Sequence, residues 1–559
     1  MTLTDKQKEL LTKLALKNAT KHDGRANPNA LIGGYLGEYP DARSDMKNLM
    51  IEIQKIVKEI NGLAQDAQIE KLKAISPDEF ERKERNIYEF LGIKEGDKIK
   101  TAFPPGPEKQ PHIGHAKALF LNYLLAKKYN GKFCLRFEDT NPDLVKAEFY
   151  DLMMQDFTWL GAKWDELIYA SDHMELYYKH CEDLLKKDEA YVCKCKGDEI
   201  KKGRETGEAC TCRGNVTETN LKLWSDMKTT MLPGDATVRL KIDLSHKNST
   251  MRDPSIFRIN LTEHARCGTK YRVWPNYDFQ NSIMDGHLKI THRLRSKEFE
   301  MRNELQRYIQ SLLGYNETKI YEFARFNIEG VEASGRIIRE KVNSGELTGW
   351  DDPTLTTITA LRRRGFLPKA IENFTINTGI TKNEATMTWD DLIVQNKKLL
   401  DDDANRYYFV EEPTLIEIEN APKKEFELNL HPTKRKGGRC FKTNEFFYIT
   451  KKDYDEMKDG EVYRLIELFN FKKEDNKLKY LDENIDTYKE KGKGMMHYLP
   501  RDEIIFAEVM MPTKEIKKGY AEINIKNAKI GNVIQFERFG FCRLDDVKDN
   551  KYYFRYTHN

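Results

Sequence analysis

TAFPPGPEKQPHIGHAKALFLNYLLAKKYNGKFCLRFEDTN, residues 101–141, is the stretch that decides the fold. Its opening extended run ends in Pro104, Pro105, Gly106 and Pro107. Proline fixes φ and keeps the preceding residue out of the helical region, so this segment is a rigid, non-helical loop. After His112-Ile113-Gly114-His115 the text becomes helix-forming. Ala116, Leu119, Phe120, Tyr123 and Leu124 recur at intervals of three and four and make an apolar face. Gly131 ends the helix. Beyond it Phe133, Leu135 and Phe137 alternate with Cys134, Arg136 and Glu138, the period of a strand. Strand, loop, helix, strand is the unit of a parallel α/β sheet.

The loop–helix junction carries the chemistry. His112 and His115 share one side of the first helical turn. Gly114 between them lets a flat ligand approach the backbone. A helix start adds unpaired N–H groups and partial positive charge, which suits the phosphates of a nucleotide. Local physics leaves two readings open: imidazoles that only cap and pack a helix, or imidazoles that stabilise charge on a phosphoryl group.

Length and composition bound the rest. At 559 residues the chain holds three or four domains. Charged residues make up 33% and the mean hydropathy is −0.72. No apolar run approaches the roughly 20 residues that span a bilayer, so no membrane partner is expected. The amphipathic start, MTLTDKQKELLTKL, does not read as a signal peptide. The net charge is +3, from 93 basic and 90 acidic residues, so any RNA footprint must be local. Nine cysteines without a secretion signal imply a reducing, cytoplasmic setting.

Taken in order, residues 1–95 read as a helical extension, with a stripe of Met46, Leu49, Met50, Ile53, Ile56, Val57, Ile60 and Leu63. Residues 96–190 hold the first half of the α/β layer, where Ser171 is expected to cap a helix. Residues 191–270 form an insertion. There Cys193, Cys195, Cys210 and Cys212 give two C-x-C pairs separated by fourteen residues. Four thiolates so paired suit a closed, structural zinc site; four unligated thiols are the alternative. Residues 271–330 return to the α/β layer, with Tyr277 and Asn281 on one helix face. Residues 331–405 read as a loop and helical connector. Arg362, Arg363 and Arg364 there are either a phosphate contact or a solvated basic face. Residues 406–559 are strand-rich and suggest one or two antiparallel barrels. Lys423, Lys424, Lys434, Arg435, Lys436, Arg439 and Lys442, set against Glu425 and Glu427, are the best local RNA footprint. Phe441, Phe446, Phe447 and Tyr448 beside them are either core or stacking platforms for bases.

Several strings resemble a known family. PPGPEKQPHIGHAKA resembles the HIGH signature of class I aminoacyl-tRNA synthetases, and LRFEDTNP its companion in the glutamyl/glutaminyl subgroup. The text from YVCKC to ACTCR resembles that group's zinc-bearing insertion, which binds the acceptor stem. WPNYDFQNSIMDGHLKITHRLRSKEF resembles its amino-acid-binding segment. The Lys-His-x-Gly and Ala-Asn-Pro text near the N-terminus, GWDDPTL followed by ALRRRG, and VIQFERFGFCRL resemble archaeal-type glutamyl-tRNA synthetases.

The resemblance implies a multidomain fold. A Rossmann-like class I synthetase catalytic domain would carry a helical N-terminal extension, an acceptor-stem insertion, a helical connector and C-terminal antiparallel β-barrels that bind the anticodon. It implies a glutamate–tRNA ligase, probing ATP with Mg2+ and glutamate to form glutamyl-adenylate, then charging the terminal adenosine of tRNA(Glu). It implies His112, His115, Ser334 and Arg336 in catalysis, with Pro105, Gly106, Gly114, His115 and Ser334 at ATP. Glu138, Tyr277, Asn281 and Arg295 would hold glutamate, with Glu138 and Arg136, which share a strand face, holding the ammonium and ordering the site. Asp139, Arg362, Arg363, Arg435, Lys436 and Arg439 would contact tRNA. A single chain is the expected unit, and tRNA(Gln) is a second acceptor left open.

Two places depart from the family pattern. Ala333-Ser334-Gly335-Arg336-Ile337 stands where the KMSKS-type loop has Ser and Lys, so Arg336 or Arg339 inherits the lysine's work. Ala102 stands where an arginine contacts substrate, and Lys100, on the same strand face, is the expected substitute. Glutaminyl-tRNA synthetase and a non-catalytic RNA-binding paralogue are the rival readings. Arg295 and the cysteine set favour glutamate.

Overall fold

The structure, a computed structural model, describes residues 3–22, 24–76, 86–332 and 334–559. The chain forms two compact units, Met1–Gly92 and Ile93–Asn559. The first contains α1 (Asp5–Lys21), α2 (Pro28–Glu38), α3 (Met46–Asn61) and α4 (Gln65–Ile75). The expected stripe of α3 splits by depth. Leu49, Ile53, Val57 and Ile60 are buried, whereas Met46, Met50, Ile56 and Leu63 pack half-buried at its margins.

The second unit is built on a five-stranded sheet. Its strands are β1 (Lys100–Phe103), β2 (Lys132–Phe137) and β3 (Glu166–Tyr169), then, much later in the chain, His292–Ser296 and Lys319–Phe323. The spatial order is β3-β2-β1, then His292–Ser296, then Lys319–Phe323, and all neighbours are parallel. α5 (Ile113–Lys128) crosses from β1 to β2. Ala116, Leu119 and Phe120 are buried as the spacing predicts. Leu121 and Leu125 are buried too, because the helix is covered on more than one side. The left-handed residue after α5 is Asn130, with φ of 50°. Gly131 serves a different purpose: a Cβ there would stand 2.3 Å from the Ile99 carbonyl oxygen.

After β2 the chain forms α6 (Ala147–Trp159) and α7 (Met174–Lys186). Ser171 lies in a short 3-10 turn ahead of α7 and does not cap it. Its N–H and hydroxyl instead donate to the Asp139 carboxylate at 2.8 and 2.7 Å. An antiparallel four-stranded sheet follows: β4 (Ala190–Cys193), β5 (Thr237–Leu240), β6 (Ser255–Ile259) and β7 (Val273–Pro275). The chain between β4 and β5 contributes α8 (Gly197–Thr206) and α9 (Thr217–Thr229). α10 (Tyr277–His287) leads back to the parallel sheet as β8 (His292–Ser296). α11 (Asn303–Leu312) then joins β8 to β9 (Lys319–Phe323). Beyond β9 come α12 (Gly335–Asn343), α13 (Ile358–Arg364), α14 (Pro368–Asn377) and α15 (Trp389–Asp401).

The strand-rich remainder forms two seven-stranded, mostly antiparallel sheets, each with its own apolar core, plus a hairpin of Glu425–His431 and Arg435–Lys442. Phe441 and Phe447 are core residues. The hairpin carries Arg439, which is buried and donates to Glu522 at 2.7 Å and to Glu537 at 2.9 Å. Glu522 also accepts the Tyr408 N–H at 2.8 Å. Arg439 therefore ties the hairpin to the strand Ile516–Glu522 and offers no free cation at the surface. Removing one partner of a buried pair strands the other charge, which typically costs about 3–5 kcal/mol. Arg439→Met should destabilise the C-terminal half by about that much in urea unfolding, and the double variant Arg439→Met/Glu522→Met should recover most of the loss. A single variant within about 1 kcal/mol of the parent would contradict this role.

Candidate active site

The order of the parallel sheet reverses between β1 and β8, the place where open α/β sheets hold ligands beyond the carboxyl ends of their strands. A cavity of about 640 Å³ opens there. The loop after β1 and the start of α5 form one wall. Glu138, at the end of β2, Tyr277 and Gln280 of α10, and Arg293 and Arg295 of β8 also line it.

His112 caps α5. Its Nδ1 accepts the Gly114 N–H at 3.0 Å, and Nδ1 of His115 accepts the His112 N–H at 3.2 Å. The two rings lie 4.2 Å apart, nearly edge to face. With each Nδ1 engaged as an acceptor, the neutral rings carry their protons on Nε2. Burial pushes the His112 pKa down to about 3, with Lys109 and Arg325 adding to the effect. Burial, then His112 and Lys109, hold His115 well below the ordinary value. The pair thus offers two uncharged N–H donors at neutral pH. Gly114 is required by this cap as well as by any ligand: a Cβ there would stand 2.8 Å from Cε1 of His112. The loop is pinned from behind by Ile113 N–H to Thr356 O at 3.0 Å and Ile358 N–H to Pro111 O at 2.9 Å.

A charge network lies beneath the cavity. Buried Arg136 donates to Glu138 at 2.8 Å, to Asp285 at 2.8 Å and to Asn281 at 2.9 Å. Arg293 donates to the same Asp285 at 2.6 Å. Gln306 donates to Asp285 at 2.8 Å and accepts from Asn281 at 3.0 Å and from Arg295 at 3.0 Å. Arg295 also donates to Asn303. Two guanidiniums on one carboxylate keep Asp285 below the usual carboxylate range despite its burial. Six polar atoms of cavity-lining residues are left buried without a protein partner: Nε of Arg293, Nε of Arg295, Nε2 of Gln280, Oε2 of Glu138, Oδ1 of Asn141 and Oγ of Ser296. A buried, unpaired donor or acceptor costs about 1–3 kcal/mol. Three donors, two acceptors and a hydroxyl suit a small ligand that carries carboxylates and an ammonium.

The residues singled out by sequence fall into groups. Gly106, His112, Gly114, His115, Glu138, Tyr277 and Arg295 line the cavity. Pro105 lies behind the wall, its carbonyl accepting the Glu138 N–H at 2.9 Å. Asn281 lies under the floor, bonded to Arg136 and Gln306. Ala333 lies outside the described residues. Ser334 and Arg336 do not line the cavity, and the Arg336 side chain is 81% exposed beside Glu340. Arg339 donates to the Glu108 carbonyl at 3.1 Å, so it, not Arg336, reaches the histidine loop. Lys100 does not replace the missing arginine at Ala102; it pairs with Glu166 at 2.7 Å, away from the cavity.

Of the positions expected to face RNA, Asp139 is buried and accepts from Ser171 and from Tyr150 at 2.7 Å. Arg363 pairs with Asp545 at 2.7 Å and also with Asp351. Arg362 is about one-third exposed and lies 3.6 Å from Asp156. Arg435, Lys434, Lys424 and Lys442 each meet an acidic neighbour, whereas Lys436 is exposed. Sequence reading missed Lys109, Lys117, Arg258, Gln280, Arg293 and Arg325, all at the cavity. Arg293 alone left a trace, since it shares a strand face with Arg295. The sulfurs of Cys193, Cys195, Cys210 and Cys212 all lie within 4.8 Å of one another, and Cys193 and Cys210 are 3.8 Å apart. Tetrahedral bonds of about 2.3 Å place sulfurs about 3.8 Å apart, so the set fits zinc.

A family model described as tRNA synthetases class I (E and Q), catalytic domain, matches residues 98–402. Two models for the anti-codon binding domain of the same group match residues 404–490 and 495–545. The glutamate–tRNA ligase of Pyrococcus abyssi is 40% identical over 565 residues, covering 98% of each chain. That of Methanocaldococcus jannaschii is 38% identical over 557 residues, covering 98% of this chain and 100% of the other. A crystal structure of a glutamate tRNA ligase from Elizabethkingia meningosepticum, in complex with its amino acid, overlaps 55% of this chain and 71% of its own, with 19% identity and a TM-score of 0.42.

The histidine pair has a pH signature. With the folded pKa of His112 about 3, below the ordinary 6.5, the unfolded chain takes up a proton between those values and the folded chain does not. Its contribution to stability is complete above pH 6.5 and falls as pH drops toward 3. Nitrogen-detected histidine NMR should show both rings as Nε2–H forms, unchanged from pH 8 to pH 5. A ring that titrates near 6.5 would contradict the geometry.

Proposed function

The chain belongs to the class I tRNA synthetases of the glutamate and glutamine group, and on that premise we propose that it is a glutamate–tRNA ligase working through this cavity. An oxygen of the glutamate α-carboxylate bonds to the α-phosphorus of ATP. The bond from that phosphorus to the bridging oxygen breaks, and pyrophosphate departs with the electron pair. A hydroxyl oxygen of the terminal adenosine of tRNA then bonds to the carbonyl carbon of the resulting adenylate and loses its proton, while the bond from that carbon to the phosphate oxygen breaks and AMP departs with the electron pair.

Each wall has a part in this. His112 and His115 donate Nε2–H to phosphate oxygens. Uncharged, preorganised donors gain strength as charge gathers in the transition state. Gly106 and Gly114 keep the backbone open to the nucleotide. Arg293, Arg295 and Gln280 receive the carboxylates, Glu138 the ammonium, and Tyr277 closes the pocket beside Phe299. The observation that carries glutamate over glutamine is the pair of unsatisfied guanidinium N–H groups above Asp285. A side-chain amide would turn N–H donors toward donors. Mg2+ carried by the triphosphate would neutralise part of its charge.

Cys193, Cys195, Cys210 and Cys212 would hold a zinc ion, which would serve the fold and not the reaction. Lys436 and Arg362 are the candidates left to meet tRNA. Arg439 and Asp139 support the fold, and Arg363 is held by its two carboxylates. tRNA(Glu) is the acceptor of a single-chain enzyme, with tRNA(Gln) the alternative.

Charging of total tRNA tests the reading. Glutamate should be esterified to tRNA(Glu), with glutamine slower by at least about 10²-fold; a preference for glutamine would overturn the assignment. Sequencing the charged species distinguishes the two acceptors. His115→Ala should slow charging by about 10²–10³, the scale of losing one preorganised donor, and near-parent turnover would remove the histidine's role. Elemental analysis should find about one zinc per chain; its absence would leave four free thiols.

A further inference from the structure

The loop before α12 brings no cation into the cavity. Ser334 and Arg336 lie outside its lining, and Arg336 faces solvent. Gly335 opens α12 without a side chain. The space that a side chain there would use is taken from the opposite side. A Cβ built on Gly335 would stand 2.6 Å from Cδ of Lys109 and 3.6 Å from its Cβ. Lys109 belongs to the histidine loop, three residues before His112, and lines both the main cavity and a small hollow it shares with His112 and Gly335. Positions 109 and 335 are therefore sterically complementary: one long side chain fits the space, two do not.

Lys109 is also chemically distinct. Arg293 and Arg295 are bonded within the floor, Arg258 donates to Asn276, and Lys117 donates to the Ala324 carbonyl. Arg325 pairs with Glu298. Among the described residues, no hydrogen bond or ion pair engages the Lys109 ammonium, while every other lysine or arginine on the cavity lining has at least one such partner. It lines the cavity beside His112 and His115 and shares the small hollow with His112, which puts it next to the histidine pair.

We propose that Lys109 is a catalytic residue of the activation step, neutralising the pyrophosphate as it leaves, in place of the lysine missing from the loop before α12. This rests on the glutamate–tRNA ligase reading. As the bond from the α-phosphorus to the bridging oxygen breaks, the electron pair and its charge move onto pyrophosphate, and the ammonium pairs with that charge without giving up its proton. A flexible four-carbon stem reaching across Gly335 delivers the cation from the wall opposite the loop.

Lys109→Met keeps a stem over Gly335 and removes the charge. In ATP–pyrophosphate exchange with glutamate and tRNA present, it should slow kcat by about 10²–10³ while the KM for glutamate and the melting temperature stay near the parent's. The exchanged pair Lys109→Gly/Gly335→Lys returns one stem to the same space from the other side. It should run at least about tenfold faster than Lys109→Gly alone. A Lys109→Met chain within about threefold of the parent, or an exchanged pair no faster than Lys109→Gly, would overturn the proposal. A parent chain without exchange would remove the reaction itself, and with it this role; a fast parent and a fast Lys109→Met would remove only the role.

Discussion

The chemistry of this molecule depends on how two imidazoles are committed at the mouth of α5. Each uses Nδ1 to satisfy a backbone N–H that the helix start would otherwise leave unpaired. The capping reading of the sequence is the one the hydrogen bonds show, and the proposed charge-stabilising role would use the nitrogens that the caps leave free. Because the caps engage Nδ1, the opposite nitrogens carry the protons. Because the rings are half-buried and near cations, they stay uncharged. Gly114 follows from the same constraint, since any side chain there would press on the His112 ring.

The floor obeys a second rule. Four charged side chains, Arg136, Glu138, Asp285 and Arg293, are taken out of water together, which is tolerable only when the charges are paired and hydrogen-bonded. Asn281 and Gln306 complete that bonding from α10 and α11. The atoms left over belong to residues lining the cavity, and in the proposed reading they are the template for a charged amino acid. Specificity then lies in the direction of donors: guanidinium N–H groups suit a carboxylate and conflict with an amide.

The architecture was legible in sequence because it rests on periodicities. The strand–loop–helix–strand unit, the stripe of α3 and the two histidines all repeat at spacings that a linear text preserves. The RNA footprint was poorly legible because charge in a string says nothing of partners. Arg439 belongs to the same basic run as Lys436, yet one is buried against Glu522 and the other exposed. Ser171 reads as a cap and instead holds Asp139 from a neighbouring segment. Lys100 shares a strand face with Ala102 but is drawn to Glu166. Lys109, Arg258 and Arg325 had no signal at all. Lys109 stands beside the histidines in sequence but is no part of their spacing, and Arg258 and Arg325 are single basic residues that reach the cavity only after distant segments of the chain converge.

The most direct measurement is a crystal structure of the protein with glutamate and a non-hydrolysable ATP analogue. The account predicts phosphate oxygens within hydrogen-bond reach, about 3.2 Å, of Nε2 of both His112 and His115. It also predicts the glutamate carboxylates on Arg293 and Arg295. A triphosphate bound elsewhere, or imidazoles turned so that Nδ1 faces the ligand, would contradict it.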